Sequence, residues 1–289
     1  MLDYINRRNS GIVRISPIAP VPSPTARAIK SASIKNCVAI YDTMLRECEE
    51  HNTMYYDESK AYARLCERLH GRNLLQMGMG SFDELDLLID NMNFRQIDKV
   101  LDLGSGFGRV TEYLCDKTGA DFTGIDNYEQ DVAIAKRLER DNLRFSIADM
   151  TMLPFEANSF DKIISLDSLY FVDNLYSTLD GILKLLKPNG LLGIFWSQPP
   201  RTSIVSISPE CSEIGMWADS RNLSFRAIDR IKEHEAFWLK SKQLFIDMEA
   251  EFKAEGMGEY WQRHMDEQQQ VVDLITAGKF PRWLFFIES

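Results

Sequence analysis

The stretch from Lys99 to Asn127 leaves this chain few ways to fold. Val100, Leu101 and Leu103 form a short apolar run of the kind that makes a strand buried on both faces. Gly104-Ser105-Gly106-Phe107-Gly108 follows as a tight turn, and Val110 to Cys115 open a helix. Glycine lets the backbone pass close to a ligand without a Cβ in the way. The free N–H groups of a helix N-terminus face back over such a turn. Phe122 to Ile125 supply a second strand, with Asp126 at its C-terminal end, where an acid can accept two ribose hydroxyls. Together these elements make a nucleoside-binding βαβ unit.

The glycine spacing narrows the nucleoside. The dinucleotide fingerprint G-x-G-x-x-G requires a glycine at position 109, which is Arg109. Here the pattern is G-x-G-x-G, with Asp102 two residues ahead of Gly104. A carboxylate is unwelcome beside a pyrophosphate. It suits a cationic amino-acid tail, or a network that fixes the turn. In this acid-x-Gly-x-Gly-x-Gly pattern the chain resembles the class I S-adenosylmethionine-dependent methyltransferases.

Later stations continue the resemblance, in order, over roughly residues 95 to 200. Arg144 to Ile147 read as a third strand, followed by Ala148-Asp149-Met150. In the family an acid there bonds the adenine amino group, with an apolar neighbour against the ring. Lys162 to Leu166 make a fourth strand ending in Asp167-Ser168-Leu169-Tyr170-Phe171, beside the transferring methyl in this fold. A helix over about Leu175 to Leu186, a turn at Lys187-Pro188-Asn189-Gly190 and a fifth strand over Leu191 to Trp196 complete the core. The fold expected is α/β, a Rossmann-like seven-stranded class I methyltransferase sheet with N-terminal helices and a helical insertion late in the chain. On the family's strand order, the last strand, Arg282 to Ile287, runs antiparallel between the fifth and the sixth, Asn222 to Ile228.

The flanks carry the substrate chamber on this reading. Residues 1–33 hold four prolines, several arginines and serines, and Asp3 as their one acid, which reads as a flexible arm or a docking strand, with a transit peptide as the alternative. Residues 34–94 read as a helical cap, with helices from Ser33, over Asp57 to Leu69 and over Phe82 to Met92, ahead of a methyltransferase domain at 95–289. Tyr55-Tyr56-Asp57-Glu58-Ser59-Lys60-Ala61 and His70-Gly71-Arg72-Asn73-Leu74-Leu75-Gln76-Met77-Gly78 are similar to the N-terminal block of glycine, sarcosine and dimethylglycine N-methyltransferases. That similarity implies that Tyr55 approaches the sulfonium and that the stretch ending in Gly78 lies near the cofactor. Gln76 departs from the family by standing where a histidine is common, and the acids after the first glycine of that block are missing. Helices over Ile231 to Glu255 and Gly258 to Ala277 form the insertion, at about 231–277, and read either as a roof over a small-molecule pocket or as a dimer face.

Composition excludes several classes. A net charge of −10, with no Lys/Arg run beyond the N-terminal arm, argues against nucleic acid as a partner. Five scattered cysteines, none spaced C-x-x-C, fit reduced thiols in a cytoplasmic protein rather than a disulfide framework or a zinc site. No apolar run reaches the length of a membrane span. No Asp/His pattern with metal spacing is visible, which disfavours metal-dependent O-methylation. Asp167-Ser168-Leu169-Tyr170 stands where Asn-Pro-Pro-Tyr would mark methylation of adenine or of a glutamine amide.

The expected activity is transfer of a methyl group from S-adenosyl-L-methionine to a small-molecule acceptor, at nitrogen, by in-line displacement. Carbon or oxygen acceptors of natural-product metabolism are the alternative. A nicotinamide-dependent oxidoreductase and a non-catalytic nucleoside-binding protein are the readings from other classes. The candidate catalytic residues are Tyr55, Asp167 and Tyr170, with Tyr170, Phe171 and Trp196 as a candidate aromatic wall. The candidate cofactor-binding residues are Asp102, Gly104, Ser105, Gly106, Asp126, Asn127, Asp149, Met150, Asp167 and Gln76.

Overall fold

A computed structural model describes residues 58–76, 78, 80–198 and 208–289, together with the backbone of Ile12–Arg14. The helix expected from Ser33, as well as Tyr55 and Tyr56, lies outside the described residues.

One eight-stranded sheet organises the molecule, in the order β1-β7-β8-β6-β5-β2-β3-β4. Its strands are β1 (Ile12–Arg14), β2 (Lys99–Leu103), β3 (Asp121–Asp126), β4 (Leu143–Ile147), β5 (Phe160–Leu166), β6 (Leu186–Ser197), β7 (Phe225–Asp229) and β8 (Arg282–Glu288). β2 to β6 are mutually parallel, and β8 runs antiparallel between β6 and β7. This is the expected seven-stranded order, with one addition. Ile12–Arg14 pairs antiparallel with β7 and extends the edge. The Lys187–Gly190 turn is absorbed into β6 as an irregularity: Phe160 pairs with Leu186, but Lys162 already pairs with Leu191. Asn189 takes a left-handed φ of 63° there, as short polar side chains tolerate.

Helices cover both faces. Before β2 come α1 (Lys60–His70) and α2 (Phe82–Met92); α3 (Arg109–Thr118), α4 (Glu129–Ala135) and α5 (Leu175–Leu185) make the crossovers. α6 (Glu213–Ser220) precedes β7, and α7 (Ile231–Asp247), α8 (Glu249–Ala254) and α9 (Gly258–Thr276) fill the insertion before β8. Capping explains the boundaries. Ser59 and Ser81 accept from the N–H of Tyr62 and Glu84, and Gly71 closes α1 in the left-handed conformation. α6 went unread in the sequence although Ser212 caps it in the same way, accepting from Gly215 N at 3.0 Å. The insertion holds three helices rather than two, because the first long one breaks at Met248.

Three apolar clusters result. One side of the sheet packs on α5, α6 and α9 through Leu103, Ile163, Leu179, Trp217 and Val271. The other side packs on α2, α3 and α4 through Leu88, Leu114, Val132 and Phe122. The third joins α1 to the insertion away from the sheet, with Tyr62, Leu65 and Phe107 against Phe245, Phe252 and Trp261.

Candidate functional site

Chain direction fixes the site. β2 is followed outward by β3 and β4, and the chain then returns to the other side of β2 as β5. In a parallel sheet this switch opens a crevice beyond the carboxyl ends of the strands. A cavity of about 470 Å³ lies there, within the size range of small-molecule sites. Asp102, Gly104, Ser105, Gly106, Asp126, Asn127, Asp149, Met150, Asp167, Tyr170 and Gln76 all border it.

The glycine turn is held from beneath. Gly104 and Ser105 donate N–H groups to the Ile125 carbonyl at 2.8 and 2.9 Å. Gly106 N–H donates to Asp126 Oδ2 at 2.9 Å, and Tyr128 N–H to Oδ1 at 3.0 Å, so the acid at the end of β3 aims at the turn. Burial pushes the Asp126 carboxyl above its ordinary range. Gly104 has φ +76°, and a Cβ there would stand 2.4 Å from Ser168 Cβ, a clash that demands glycine. Ser168 ties the end of β5 to β2 by donating to the Leu103 carbonyl at 2.5 Å. Asp102 is fully buried in the same place and accepts from Thr111 Oγ1 at 2.6 Å. Burial raises its carboxyl to about 7.

Asp167 sits in a different setting from the one its position in the sequence suggests. It adopts φ +59° at the end of β5, and Arg282 grips both its oxygens, Nη1 to Oδ1 at 2.6 Å and Nη2 to Oδ2 at 3.0 Å. The Tyr170 hydroxyl donates to Oδ1 at 3.0 Å while accepting from Ser197 N–H at 2.6 Å. Arg282 also donates to Glu84 of α2, through Nε at 3.0 Å and Nη2 at 2.9 Å, and to Ser197 Oγ at 3.0 Å. All of these side chains are buried. The aromatic wall is smaller than expected. Tyr170 and Phe171 border the cavity, whereas Trp196 packs behind Tyr170 with ring centroids 4.8 Å apart.

The cap and the insertion close the cavity. The 74–80 stretch reaches it through Leu74, Leu75, Gln76, Gly78 and Gly80, and a Cβ on Gly78 would stand 3.3 Å from Asp167 Cβ. His70 donates from Nδ1 to the Gly80 carbonyl at 3.1 Å, and its burial lowers the imidazole to about 4. Cys66 also borders the cavity, but burial pushes its thiol up to about 12, which leaves no thiolate. From above come Phe237, Trp238, Ser241 and Phe245 of α7 and Tyr260, His264, Glu267 and Gln268 of α9. Both long helices of the insertion therefore line the cavity. His234 stands behind it, accepting at Nε2 from Trp238 Nε1–H at 2.7 Å and donating from Nδ1 to the Phe280 carbonyl at 3.2 Å. Burial holds this imidazole well below its usual value.

The sequence places these two helices but leaves the residues of the roof unnamed. The 237, 241, 245 and 260, 264, 267/268 spacings are helical, and a Glu-Gln pair continuing an aromatic stripe was the signal for them. Arg282 and Glu84 carried no local signal, because their contact spans 198 residues.

A sequence profile described as a methyltransferase domain matches residues 101–194. Residues 101–194 are a class I methyltransferase domain. The sterol 24-C-methyltransferase of Pneumocystis carinii is 33% identical over 102 residues, 34% of this chain and 27% of that protein's length. The phosphoethanolamine N-methyltransferase 2 of Haemonchus contortus, solved with phosphomonomethylethanolamine and S-adenosylhomocysteine, matches with TM-score 0.67 at 18% identity over 87% of this chain and 60% of that one. A putative sarcosine dimethylglycine methyltransferase from Galdieria sulphuraria matches with TM-score 0.60 at 20% identity, over 71% of this chain and 81% of that one. At these identities the structural likenesses speak to the fold. The chain spans little more than a quarter of the length of the curated relative it matches.

S-adenosylmethionine is the cofactor of such a domain, and the cavity fits it. Of the residues bordering the cavity, Ser105 in the glycine turn and Gln76 in the cap have buried polar atoms, Oγ and Nε2, with no hydrogen-bond partner, and a Cβ on Gly106 would meet only open space. Polar groups awaiting a ligand and a turn open to its approach are what a nucleoside needs. Among the described residues no group of three His, Cys, Asp or Glu side chains is placed to hold a metal, and no helix is long and apolar enough to cross a membrane.

Proposed function

We propose that the chain transfers a methyl group from S-adenosylmethionine to a small-molecule acceptor, with nitrogen as the acceptor atom. The observation that carries this reading is one cavity bordered both by the glycine turn with Asp126 and by the cap and roof helices. The cofactor, when bound, supplies an electrophilic methyl group on a sulfonium. Asp126 is the residue for the ribose hydroxyls, with Asn127 beside it; Asp149 and Met150 are the adenine neighbours; Asp102, Ser105 and Gln76 face the amino-acid end. Acceptor and methyl group then meet in a compartment walled by Tyr170, Phe171 and the roof helices, where orientation and exclusion of water supply much of the acceleration.

Nitrogen is favoured by the state of the polar groups. Asp167 is clamped by Arg282 and Tyr170, so it orients the end of β5 and is not a base. His70 and His234 are neutral and hydrogen-bonded. An amine that arrives neutral needs no base, whereas an oxygen acceptor usually does. Tyr170 acts by holding Asp167; Tyr55, outside the described residues, keeps the role that the resemblance implies, approach to the sulfonium.

The test is a thermal shift with S-adenosylmethionine, S-adenosylhomocysteine and NADH, on the native chain and on Asp126→Ala. A ligand at a hundred times its dissociation constant adds about 2.7 kcal/mol to stability. Stabilisation by the sulfur nucleosides alone, lost in the variant, is the expected result. Stabilisation by NADH alone would overturn the reading. Mass-resolved products with labelled cofactor then separate nitrogen from carbon or oxygen.

A further inference from the structure

The cavity's two ends differ in chemistry. The glycine-turn end is polar and holds Asp102 and Asp126, while the roof end is aromatic, with Phe237 and Trp238 from α7 and Tyr260 from α9. The rings of Phe237 and His70 lie 5.3 Å apart at a tilt of 49°, and Tyr260 lies 6.0 Å from Tyr62 of α1 in an edge-to-face contact. These contacts fix the rings as flat walls rather than mobile covers. Two polar side chains interrupt this surface, Glu267 and Gln268, both more than nine-tenths buried. The Gln268 Oε1 atom has no hydrogen-bond partner.

An acceptor oxygen kept dry beside aromatic rings is costly unless a ligand's donor reaches it. The aromatic faces make the spot hospitable to positive charge, because their quadrupole attracts cations. Among the described residues bordering the cavity, the one Lys or Arg is Arg109, at the start of α3 beside the glycine turn and 3.4 Å from Glu112. Among the described residues the roof end therefore offers no lysine or arginine to a phosphate or a carboxylate.

We infer that the roof end binds acceptors that carry an amine on a flat apolar body, with Gln268 as a specificity-determining residue, and that it rejects acceptors bearing a phosphate or carboxylate. This rests on the methyltransferase reading above and narrows its substrate class. It sets the chain apart in chemistry from the structural relative solved with phosphomonomethylethanolamine.

The experiment titrates the full chain, saturated with S-adenosylhomocysteine, with two probes sharing an indole body: tryptamine and indole-3-acetate. Tryptamine is expected to bind at least tenfold more tightly. Gln268→Leu is expected to weaken tryptamine about tenfold while leaving S-adenosylhomocysteine affinity as it was, and Gln268→Glu, which keeps an acceptor oxygen, to retain tryptamine. The inference is overturned if indole-3-acetate binds equally well or better. It is overturned too if neither probe binds the loaded protein, or if Gln268→Leu leaves tryptamine unaffected. A chain that takes up no S-adenosylhomocysteine at all refutes the methyltransferase reading itself, a separate result visible before any probe is added.

Discussion

Asp102 shows how one buried side chain links stability to ligand affinity. Its carboxyl is raised from an ordinary 3.8 to about 7 by burial, against the opposing hydrogen bond from Thr111. Between those two values the folded chain holds a proton that the unfolded chain has lost. Stability of the free protein therefore falls as pH rises through this window, by as much as about 4 kcal/mol. A cationic amino-acid tail reverses the balance, since it favours the ionised carboxylate. Binding then releases a proton from the folded protein. The affinity for S-adenosylhomocysteine is expected to rise by up to about tenfold per pH unit from pH 5.5 and to level off above 7. Titration calorimetry across that range reads it directly, and Asp102→Asn should flatten the profile. A profile already flat in the native chain would show that Asp102 serves the glycine turn alone.

At the scale of elements, Arg282 is the join. It begins β8, yet its guanidinium reaches α2 through Glu84, the end of β5 through Asp167 and the end of β6 through Ser197. Arg230, just before α7, adds a second cation 3.5 Å from Glu84. Arg282→Met would leave two carboxylates buried with half their compensation. Breaking a buried pair from one side costs about 3–5 kcal/mol, equivalent to a fall in melting temperature of roughly 10 °C for a chain of this size. Adding Glu84→Gln and Asp167→Asn should recover part of that loss in a melting experiment, because the buried charge goes with them. A single variant that melts with the native chain would deny the network its structural role. This network also marks where sequence reading stopped. The helix over Phe82 to Met92 was legible, because a serine cap and an apolar stripe are local signals, as were the strand–glycine–helix unit and the strand order that follows from it. Asp167 was legible as a position at the end of β5 but not as a clamped ion, because its partner is 115 residues away. Nothing in the residues around 167 announces an arginine from the last strand.

For the whole molecule, the third apolar cluster makes the lid a unit distinct from the sheet. α1 comes before the first parallel strand and the insertion comes after the last of them, yet they pack together. Glu255 is the polar fastening: it accepts from Ser59 Oγ at 2.7 Å and from the Ala61 N–H at 3.1 Å, a contact spanning about 195 residues. A carboxylate there also offsets the positive end of the α1 dipole. Arg64 with Glu251 at 3.3 Å and Arg68 with Asp247 at 3.6 Å add exposed pairs along the same seam, worth little each. The sheet's two cores make no use of this seam, so loosening it should open the lid without unfolding the domain. Glu255→Ala removes a charge-assisted cap worth about 1–2 kcal/mol. Hydrogen exchange is expected to speed up together in residues 60–70 and 249–276, while the amides of the five parallel strands keep their protection. S-adenosylhomocysteine affinity should fall by about tenfold, since the cavity's cover is then shut for a smaller fraction of the time. Exchange that rises uniformly across the sheet would mean that lid and domain unfold as one body. Exchange that rises in only one of the two segments would mean that Glu255 caps a helix and fastens nothing.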